Sequence, residues 1–174
     1  MIRSIPLFIF CFFCSSLWCQ DLSSEEQELY RLISKYRKEH KLPKIPLSKS
    51  LTLVAKLHSE DLAMNHPDQN ECNAHSWSEE GDWSACCYTS DHAQASCMWD
   101  KPKELTTYPH PGYEISCAGS MELSANEALQ TWKKSQAHND VVLNKDIWKT
   151  PWKAMGIGMF KGYATVWFGH YPEN

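Results

Sequence analysis

The pattern of apolar and polar residues predicts a helix near the beginning of the chain. Ser23 and Glu26 have the spacing of a capping box, in which each side chain accepts a hydrogen bond from the backbone N–H of the other. Apolar residues then recur at intervals of three and four as far as Tyr36. Pro43 and Pro46 interrupt this pattern, so the helix is expected to end before them.

A second helix is predicted to begin after Ser48, a suitable N-cap, and to run to about Asn65. Pro67 follows, and the residue before a proline disfavours the helical conformation. The apolar stripe of this helix contains one histidine, His58. Its position indicates a core residue with satisfied hydrogen bonds rather than a ligand.

Helical periodicity disappears between residues 68 and 119, where the chain is rich in Asn, Ser, Asp, Gly, Pro, Cys and Trp. A connection of this length without regular structure is unusual in a compact domain and is normally either functional or disordered. The aromatic residues and cysteines favour an ordered loop stapled by disulfides.

Regular elements return in the last third of the chain. Ser124 and Glu127 repeat the capping-box spacing at the start of a third helix, which is expected to end near "SQAHN" and to be followed by a helical turn around residues 141–143. The segment "AMGIGMFKGYATVWFG" alternates like two strands joined at Lys161 and Gly162. The order of elements predicts a single α+β domain with helices packed on an antiparallel sheet.

The first 19 residues are interpreted as a secretory signal peptide, which leaves residues 20–174 for the domain. Arg3 is their only charged residue, and residues 5–18 are almost wholly apolar but too few to span a bilayer comfortably. A lipoprotein acylated at Cys19 is the alternative. Trp18 disfavours it, because a small residue is expected before such a cysteine.

Five cysteines follow the leader, so they cannot all pair within the chain. Two disulfides and one free or intermolecular thiol are expected in an oxidising compartment. Cys86 and Cys87 are adjacent, and a bond between them would strain the peptide, so each should pair elsewhere. The preferred pair is Cys72 with Cys87, which closes a loop around His75.

Charge and composition exclude several classes of partner. Of the 17 basic residues one lies in the leader, whereas all 21 acidic residues follow it, so the exported chain is acidic. Nucleic acid and anionic lipid both require basic patches and are not expected as partners. No second apolar run has membrane-spanning length. A zinc finger is also disfavoured, because no CxxC pair is present.

Five segments occur in an order that carries a resemblance to a known family: "LVAKLHSEDLA", "CNAHSW", "GYEI", "WKKSQAHNDVVLN" and "WKAMGIGMFKGYATVWFG". The chain resembles the CAP superfamily of cysteine-rich secretory proteins, antigen 5 and pathogenesis-related proteins, whose domain is also called the SCP domain. The "SxxHN" segment and the closing "GIG" strand are more similar to bacterial-type SCP proteins. The resemblance implies an α-β-α sandwich with a large open cleft.

The resemblance also implies a site, because the family gathers two histidines and one or two glutamates at the floor of the cleft, where some members bind divalent metal. The matching positions are His75, Glu114 and His138. Two imidazoles and a carboxylate are good zinc ligands and leave a position open for water or substrate. Ser135 stands where many eukaryotic members have a second glutamate, so a triad rather than a tetrad is expected. Ile115 replaces the asparagine that usually follows the first glutamate.

Each residue of the triad also has a structural alternative. His75 could be a loop histidine bonded to backbone, Glu114 a carboxylate that accepts backbone N–H groups, and His138 a cap for the end of the third helix. The triad as a whole could serve only to organise the long loop.

Other residues of the long loop are weaker candidates. The tryptophans Trp77, Trp83 and Trp99 are expected to fill a local core, and the alternative is an apolar cleft wall for a hydrophobic or sugar ligand. His92 is expected to be exposed and is a secondary candidate for the border of the cleft.

The expected function is that of a secreted binding protein, extracellular or periplasmic, with a small apolar ligand or an extracellular protein as partner and zinc as a candidate cofactor. The alternative is a zinc-dependent hydrolase in the same cleft, for which the sequence indicates no general base. A serine hydrolase is disfavoured, because the adjacency of His75 and Ser76 says little about geometry and no GxSxG pattern is present.

Overall fold

The structure of the protein is a computed structural model that describes residues 22–173. The signal peptide predicted for residues 1–19 lies outside this part of the chain. The described residues form six α-helices, one 3-10 helix and three strands. In chain order these are α1 (Ser24–Glu39), α2 (Lys49–Asn65), α3 (Ala95–Trp99), α4 (Lys101–Leu105), β1 (Tyr113–Ala118), α5 (Ala125–Lys134), α6 (Gln136–Val142), the 3-10 helix (Asp146–Trp148), β2 (Ala154–Phe160) and β3 (Tyr163–Gly169).

Helix α1 begins at the predicted capping box. The Ser23 hydroxyl accepts a hydrogen bond from the Glu26 backbone N–H at 3.2 Å, and the Glu26 carboxylate accepts one from the Ser23 backbone N–H at 2.7 Å. Leu29 and Ile33, from the predicted apolar face, are fully buried in a core shared with the sheet. The sequence pattern therefore predicts both the start of this helix and the face that packs.

Helix α2 has the predicted bounds and lies directly on the β2–β3 hairpin. The hydroxyl of Ser48 caps it by accepting the Leu51 backbone N–H at 3.0 Å. A Cβ atom added to Gly156 would lie 2.0 Å from the backbone carbonyl carbon of Leu51, and one added to Gly158 would lie 2.3 Å from that of Ala55. The two glycines therefore let the helix backbone touch the strand.

The three strands form one antiparallel sheet in the order β1–β3–β2. The predicted hairpin is confirmed, and its turn at Lys161 and Gly162 gives the glycine a φ of +88°. Strand β1 corrects the expectation of an irregular loop through residues 68–119. Residues 113–117 of this strand alternate between apolar and polar side chains, but Glu114 and Ser116 are buried as well as Ile115 and Cys117, so burial does not follow the alternation.

Two cores lie on opposite faces of the sheet. One lies between the sheet and helices α1, α5 and α6, where Trp132 is fully buried. The other lies between the sheet, α2 and the loop that follows α2, where Trp77 and Trp167 are buried. The predicted single α+β domain with an α-β-α sandwich is confirmed. No helix within residues 22–173 is both long and apolar enough to cross a bilayer.

The third predicted helix is divided into α5 and α6. The capping box of Ser124 and Glu127 starts α5 as predicted. Ser135 has an extended conformation, with φ of −90° and ψ of 116°, and separates the two helices. His138 therefore lies inside α6 rather than at the end of the third helix, and the turn predicted around residues 141–143 is the end of α6.

Two disulfides hold the long loop. The predicted bond between Cys72 and Cys87 is confirmed, and Cys86 pairs with Cys97, so the adjacent cysteines bind different partners. Cys117 in β1 is the free cysteine of the described residues. Burial raises the pKa of its thiol to about 12, so the reactive thiolate is suppressed at neutral pH.

Candidate functional site

A buried carboxylate joins two histidines from different parts of the chain. Glu114 is the second residue of β1 and is 6% exposed. Its Oε1 lies 2.5 Å from Nδ1 of His58 in α2, and its Oε2 lies 2.8 Å from Nδ1 of His75 in the loop after α2. Both oxygens of the carboxylate are therefore engaged by imidazoles.

The loop after α2 fixes the position of His75. Its backbone N–H donates to the side-chain oxygen of Asn73 at 3.0 Å, and the Asn73 backbone N–H donates to the carbonyl of Tyr88 at 2.9 Å. The bond between Cys72 and Cys87 joins the same two segments. Because the turn is tied by hydrogen bonds and by a covalent link, the imidazole of His75 is held against the sheet.

His58 is a donor at both ring nitrogens. Its Nε2 lies 2.8 Å from the backbone carbonyl of Ser76, which can only accept a hydrogen bond, so this nitrogen carries a proton. Its Nδ1 faces the carboxylate of Glu114, which also accepts. The ring stacks on Trp77 with centroids 4.3 Å apart and planes 6° apart, which favours a positive charge on the imidazole. These partners define an imidazolium paired with a carboxylate.

The environment of Glu114 keeps its carboxylate ionised. Burial alone would raise the pKa of this group, but the charge of His58 and the hydrogen bonds from His58 and His75 outweigh burial and lower the pKa below its ordinary value. Burial and, to a smaller extent, the charge of Glu114 raise the pKa of Tyr88, so its phenol stays protonated at neutral pH. The cluster therefore holds one negative charge at its centre.

His138 lines the same cleft as His75 and Glu114. Burial lowers its pKa, a positive charge on His75 lowers the pKa further, and Glu114 acts in the opposite direction. Its Nδ1 is buried and has no hydrogen-bond partner among residues 22–173. Because buried polar atoms are normally paired, this nitrogen is an exception among the described residues.

The cleft has a volume of about 470 Å³, within the range of small-molecule sites. The polar part of its lining consists of Asn73, His75, Tyr88, His92, Glu114 and His138. The apolar part includes Met98, Trp99, Tyr113, Val141, Ile147 and Trp148. A second cavity, of about 440 Å³, lies at the β2–β3 turn and has no histidine in its lining.

The weaker candidates of the long loop take different positions. His92 is exposed as expected and lines the cleft, with its Nδ1 2.9 Å from the Tyr88 hydroxyl. Trp77 is buried, and Trp83 packs against its edge, as expected for a local core. Trp99 is 36% exposed and forms part of the cleft wall, which was the alternative interpretation.

The sequence did not place His58 in this cluster. It is a buried and satisfied core residue, as its position in the apolar stripe of α2 indicates, but one of its partners is the carboxylate of Glu114. A histidine in an apolar stripe signals that two hydrogen-bond partners are needed. Their identity depends on how α2 packs on the sheet, which the local sequence does not reveal.

The three residues predicted to bind zinc, His75, Glu114 and His138, line one cleft but do not form a three-ligand metal site. Within the described residues, no three His, Cys, Asp or Glu side chains are arranged to hold a metal ion. Both oxygens of Glu114 already accept hydrogen bonds from imidazoles. Glu114 therefore acts on His75 as a hydrogen-bond acceptor that orients its ring.

The fold and the cluster together define a class of secreted-type α-β-α domains with a histidine-lined cleft. The family described as CAP, the cysteine-rich secretory protein family, matches residues 30–165. The chain therefore belongs to the CAP family, and the resemblance stated from the sequence is confirmed. No curated protein matches the sequence at a significant level.

Solved structures of bacterial proteins share the fold. An outer surface protein of Borrelia burgdorferi aligns with a TM-score of 0.58 and 18% identity over 86% of this chain and 94% of its own. An extracellular protein with an SCP domain from Bacillus anthracis aligns with a TM-score of 0.57 and 19% identity over 83% of this chain. This chain covers only 39% of the Bacillus anthracis protein. Identities this low support a shared fold and nothing finer.

Proposed function

We propose that the protein is an extracellular binding module whose cleft takes a small ligand. The observation that carries this proposal is a cleft of about 470 Å³ in which fixed imidazoles and an apolar wall line the same space. His138 belongs to the same lining and has a buried Nδ1 without a hydrogen-bond partner among the described residues. Two disulfides in the loop that forms the cleft suit an oxidising, extracellular compartment.

The arrangement favours binding over hydrolysis. The described residues that line the cleft include no Ser, Thr, Cys or Lys, so the usual nucleophiles are missing from its lining. Glu114 is the one carboxylate there, and both of its oxygens are engaged by His58 and His75. Catalytic zinc sites generally use three protein ligands, whereas this cleft offers two imidazoles. A hydrolase would need both a further ligand and a general base.

The proposal is tested by blocking the cleft. The matched variants are Ala137→Trp, at an exposed position of α6 in the cleft lining, and Thr131→Trp, at an exposed position of α5 outside it. We expect fragments of a library of small alcohols, amides and sugars to give saturation-transfer NMR signals with the wild type and with Thr131→Trp. The same signals should be lost with Ala137→Trp, because the indole occupies the cleft.

The comparison of Ala137→Trp with Thr131→Trp can also contradict the proposal. Both substitutions introduce a tryptophan on a helix surface, so nonspecific effects of an added indole should be equal in the two proteins. If every bound fragment behaves alike in both variants, binding occurs elsewhere and the cleft is not the ligand site.

Metal dependence is a separate part of the proposal. A bound divalent metal would supply a Lewis acid that polarises a ligand oxygen, and His75 and His138 are the residues that would hold it. We expect one zinc ion per chain by calorimetry, with at least about tenfold weaker binding in His75→Ala and in His138→Ala, because each variant removes half of a two-nitrogen site. His92→Ala is the control, since His92 is exposed and bonded to Tyr88.

Zinc titration can also reject metal dependence without affecting the proposal that the cleft binds a ligand. A wild-type protein that binds no zinc near neutral pH, or equal losses in all three histidine variants, would remove metal from the proposed function. Ligand binding in the cleft would then rest on the protein groups alone.

A further inference from the structure

The charged groups of the cleft restrict the charge that its ligand can carry. This inference rests on the proposed function, in which the cleft is a binding site. Its described lining contains no Lys or Arg. The one charged group is Glu114, which is buried and compensated by the imidazolium of His58. An acidic ligand would find no cation to offset the loss of its hydration, and a basic ligand would find the carboxylate already engaged. The lining therefore suits a neutral molecule.

The apolar wall contains a row of three aromatic rings beside its aliphatic side chains. Trp99 and Tyr113 have ring centroids 5.7 Å apart, and Tyr113 and Trp148 have centroids 5.3 Å apart. Trp99 is 36% exposed, so part of its surface is available to a ligand. The faces of aromatic rings are electron-rich and attract the weakly positive C–H groups of a saturated ring.

The polar groups of the cleft suit hydroxyls, which both donate and accept hydrogen bonds. His75 donates from Nδ1 to Glu114, so its Nε2 can accept from a ligand while it is neutral. The hydroxyl of Tyr88 and the Nδ1 of His92 are 2.9 Å apart, and His138 carries the unpartnered nitrogen. Together these groups have both donor and acceptor capacity, which a purely apolar ligand would leave unsatisfied.

The cleft is also open to solvent along its aromatic wall. Ile147 is 78% exposed and Trp99 36% exposed, although both belong to the lining. A lipid chain left partly exposed here would lose transfer free energy in proportion to the apolar area that stays in water. A ligand with one apolar face and a polar edge is accommodated here without full enclosure.

We propose that the ligand of this cleft is a neutral oligosaccharide, with a sugar ring stacked on Trp99, Tyr113 or Trp148 and its hydroxyls bonded to the imidazoles of His75 and His138. The aromatic row and the histidines occupy one cleft, so a single ring can use both. Hydroxyl groups are the ligand atoms that match neutral imidazole and phenol partners in both directions. The absence of Lys and Arg from the described lining selects neutral sugars over uronic acids and sulfated chains.

The test uses calorimetry with defined probes: cellobiose, maltose and N,N′-diacetylchitobiose as neutral disaccharides, cellobiouronic acid as the acidic counterpart, and 1-octanol as an apolar alcohol. We expect at least one neutral disaccharide to bind, and to bind more tightly than the acidic one. Trp99→Ala should weaken this binding at least about tenfold, and Trp99→Phe should restore part of it, since an aromatic face remains.

Tyr171→Ala is the matched control, because Tyr171 is an exposed aromatic residue outside the cleft, 52% exposed and stacked on His110. It should bind the disaccharide like the wild type. Disaccharide binding that is insensitive to Trp99→Ala, or tighter binding of the acidic sugar, would overturn the inference.

The outcomes also separate this inference from the proposed function. If 1-octanol or library fragments bind in a manner blocked by Ala137→Trp while no disaccharide binds, the sugar assignment is wrong and the binding module stands. If no probe responds to Ala137→Trp, both are wrong.

Discussion

Replacing Glu114 with alanine is expected to lower the free energy of unfolding by about 4 kcal/mol at pH 7, because it removes one partner of a buried ion pair. His58 is fully buried and would lose the carboxylate that lies 2.5 Å from its Nδ1, so it would have to give up its charge or keep it without a partner. The Nδ1 of His75 would lose its partner in the same step. Urea denaturation of the wild type and the variant measures the difference.

Glu114→Gln is the matched control, because it keeps the shape and two hydrogen-bonding atoms. The glutamine oxygen can accept from His75, and its amide can donate to His58 once His58 is neutral. The loss should therefore be clearly smaller than for alanine. If alanine and glutamine both cost less than about 1 kcal/mol, the buried pair does not support the fold.

The lowered pKa of Glu114 gives this comparison a definite pH dependence. A carboxylate whose pKa is lower in the folded state stabilises the fold above its unfolded value, near 4.5, and loses that contribution as the pH falls through the folded pKa. The stability advantage of the wild type over Glu114→Gln should therefore shrink as the pH falls below 4.5, through the folded pKa of Glu114. An advantage that grows in this acid range would contradict the assignment.

Replacing Gly156 with alanine is expected to destabilise the protein by about 3 kcal/mol or more, the upper part of the range for overpacking. The added Cβ would lie 2.0 Å from the carbonyl carbon of Leu51 and 2.2 Å from the backbone nitrogen of Thr52. Backbone atoms of a helix cannot rotate away as a side chain can, so α2 would have to lift from the sheet. Urea or thermal denaturation detects the loss.

Gly119→Ala is the control for this substitution. Its added Cβ would meet Cδ1 of Leu123 at 2.7 Å, which is the end of a flexible side chain. Its cost should therefore stay below about 1 kcal/mol. Equal losses in Gly156→Ala and Gly119→Ala would show that α2 does not depend on close contact with the strand.

The elements that the sequence predicts correctly are those specified by local chemistry. The capping boxes at Ser23 and Ser124 mark the starts of α1 and α5, since the bonds they make lie within one turn. The hairpin is specified by an alternating pattern and by Gly162, which has a positive φ. The number of cysteines and the adjacency of two of them predict two disulfides with separate partners for Cys86 and Cys87, and the preferred pair, Cys72 with Cys87, is confirmed.

The elements that the sequence does not predict are set by long-range packing. Residues 113–117 of strand β1 alternate between apolar and polar, but the segment is short, and Glu114 and Ser116 are buried like Ile115 and Cys117, so burial does not alternate. Ser135 divides a predicted helix because its backbone is extended, although serine by itself does not require this. In both places the tertiary environment outweighs the local pattern.

In the candidate site too, some residues could be predicted from the sequence and others depend on long-range packing. The resemblance to the family points to His75, Glu114 and His138, and the structure places all three in the lining of one cleft. The contact of His58 with Glu114 spans 56 positions in sequence and depends on the packing of α2 on the sheet. Trp99 reaches the cleft because α3 places it there, which its neighbours in sequence do not indicate.

The two disulfides are formed by the adjacent residues Cys86 and Cys87. This point of the chain is therefore linked both to an earlier segment and to a later one. Cys87 is bound to Cys72, near His75, and Cys86 is bound to Cys97, near Trp99. The polar and the aromatic parts of the cleft thus share a covalent frame that does not depend on the residues in between. Reduction of the two bonds would release both parts of the cleft at once, because the bonds meet at adjacent residues.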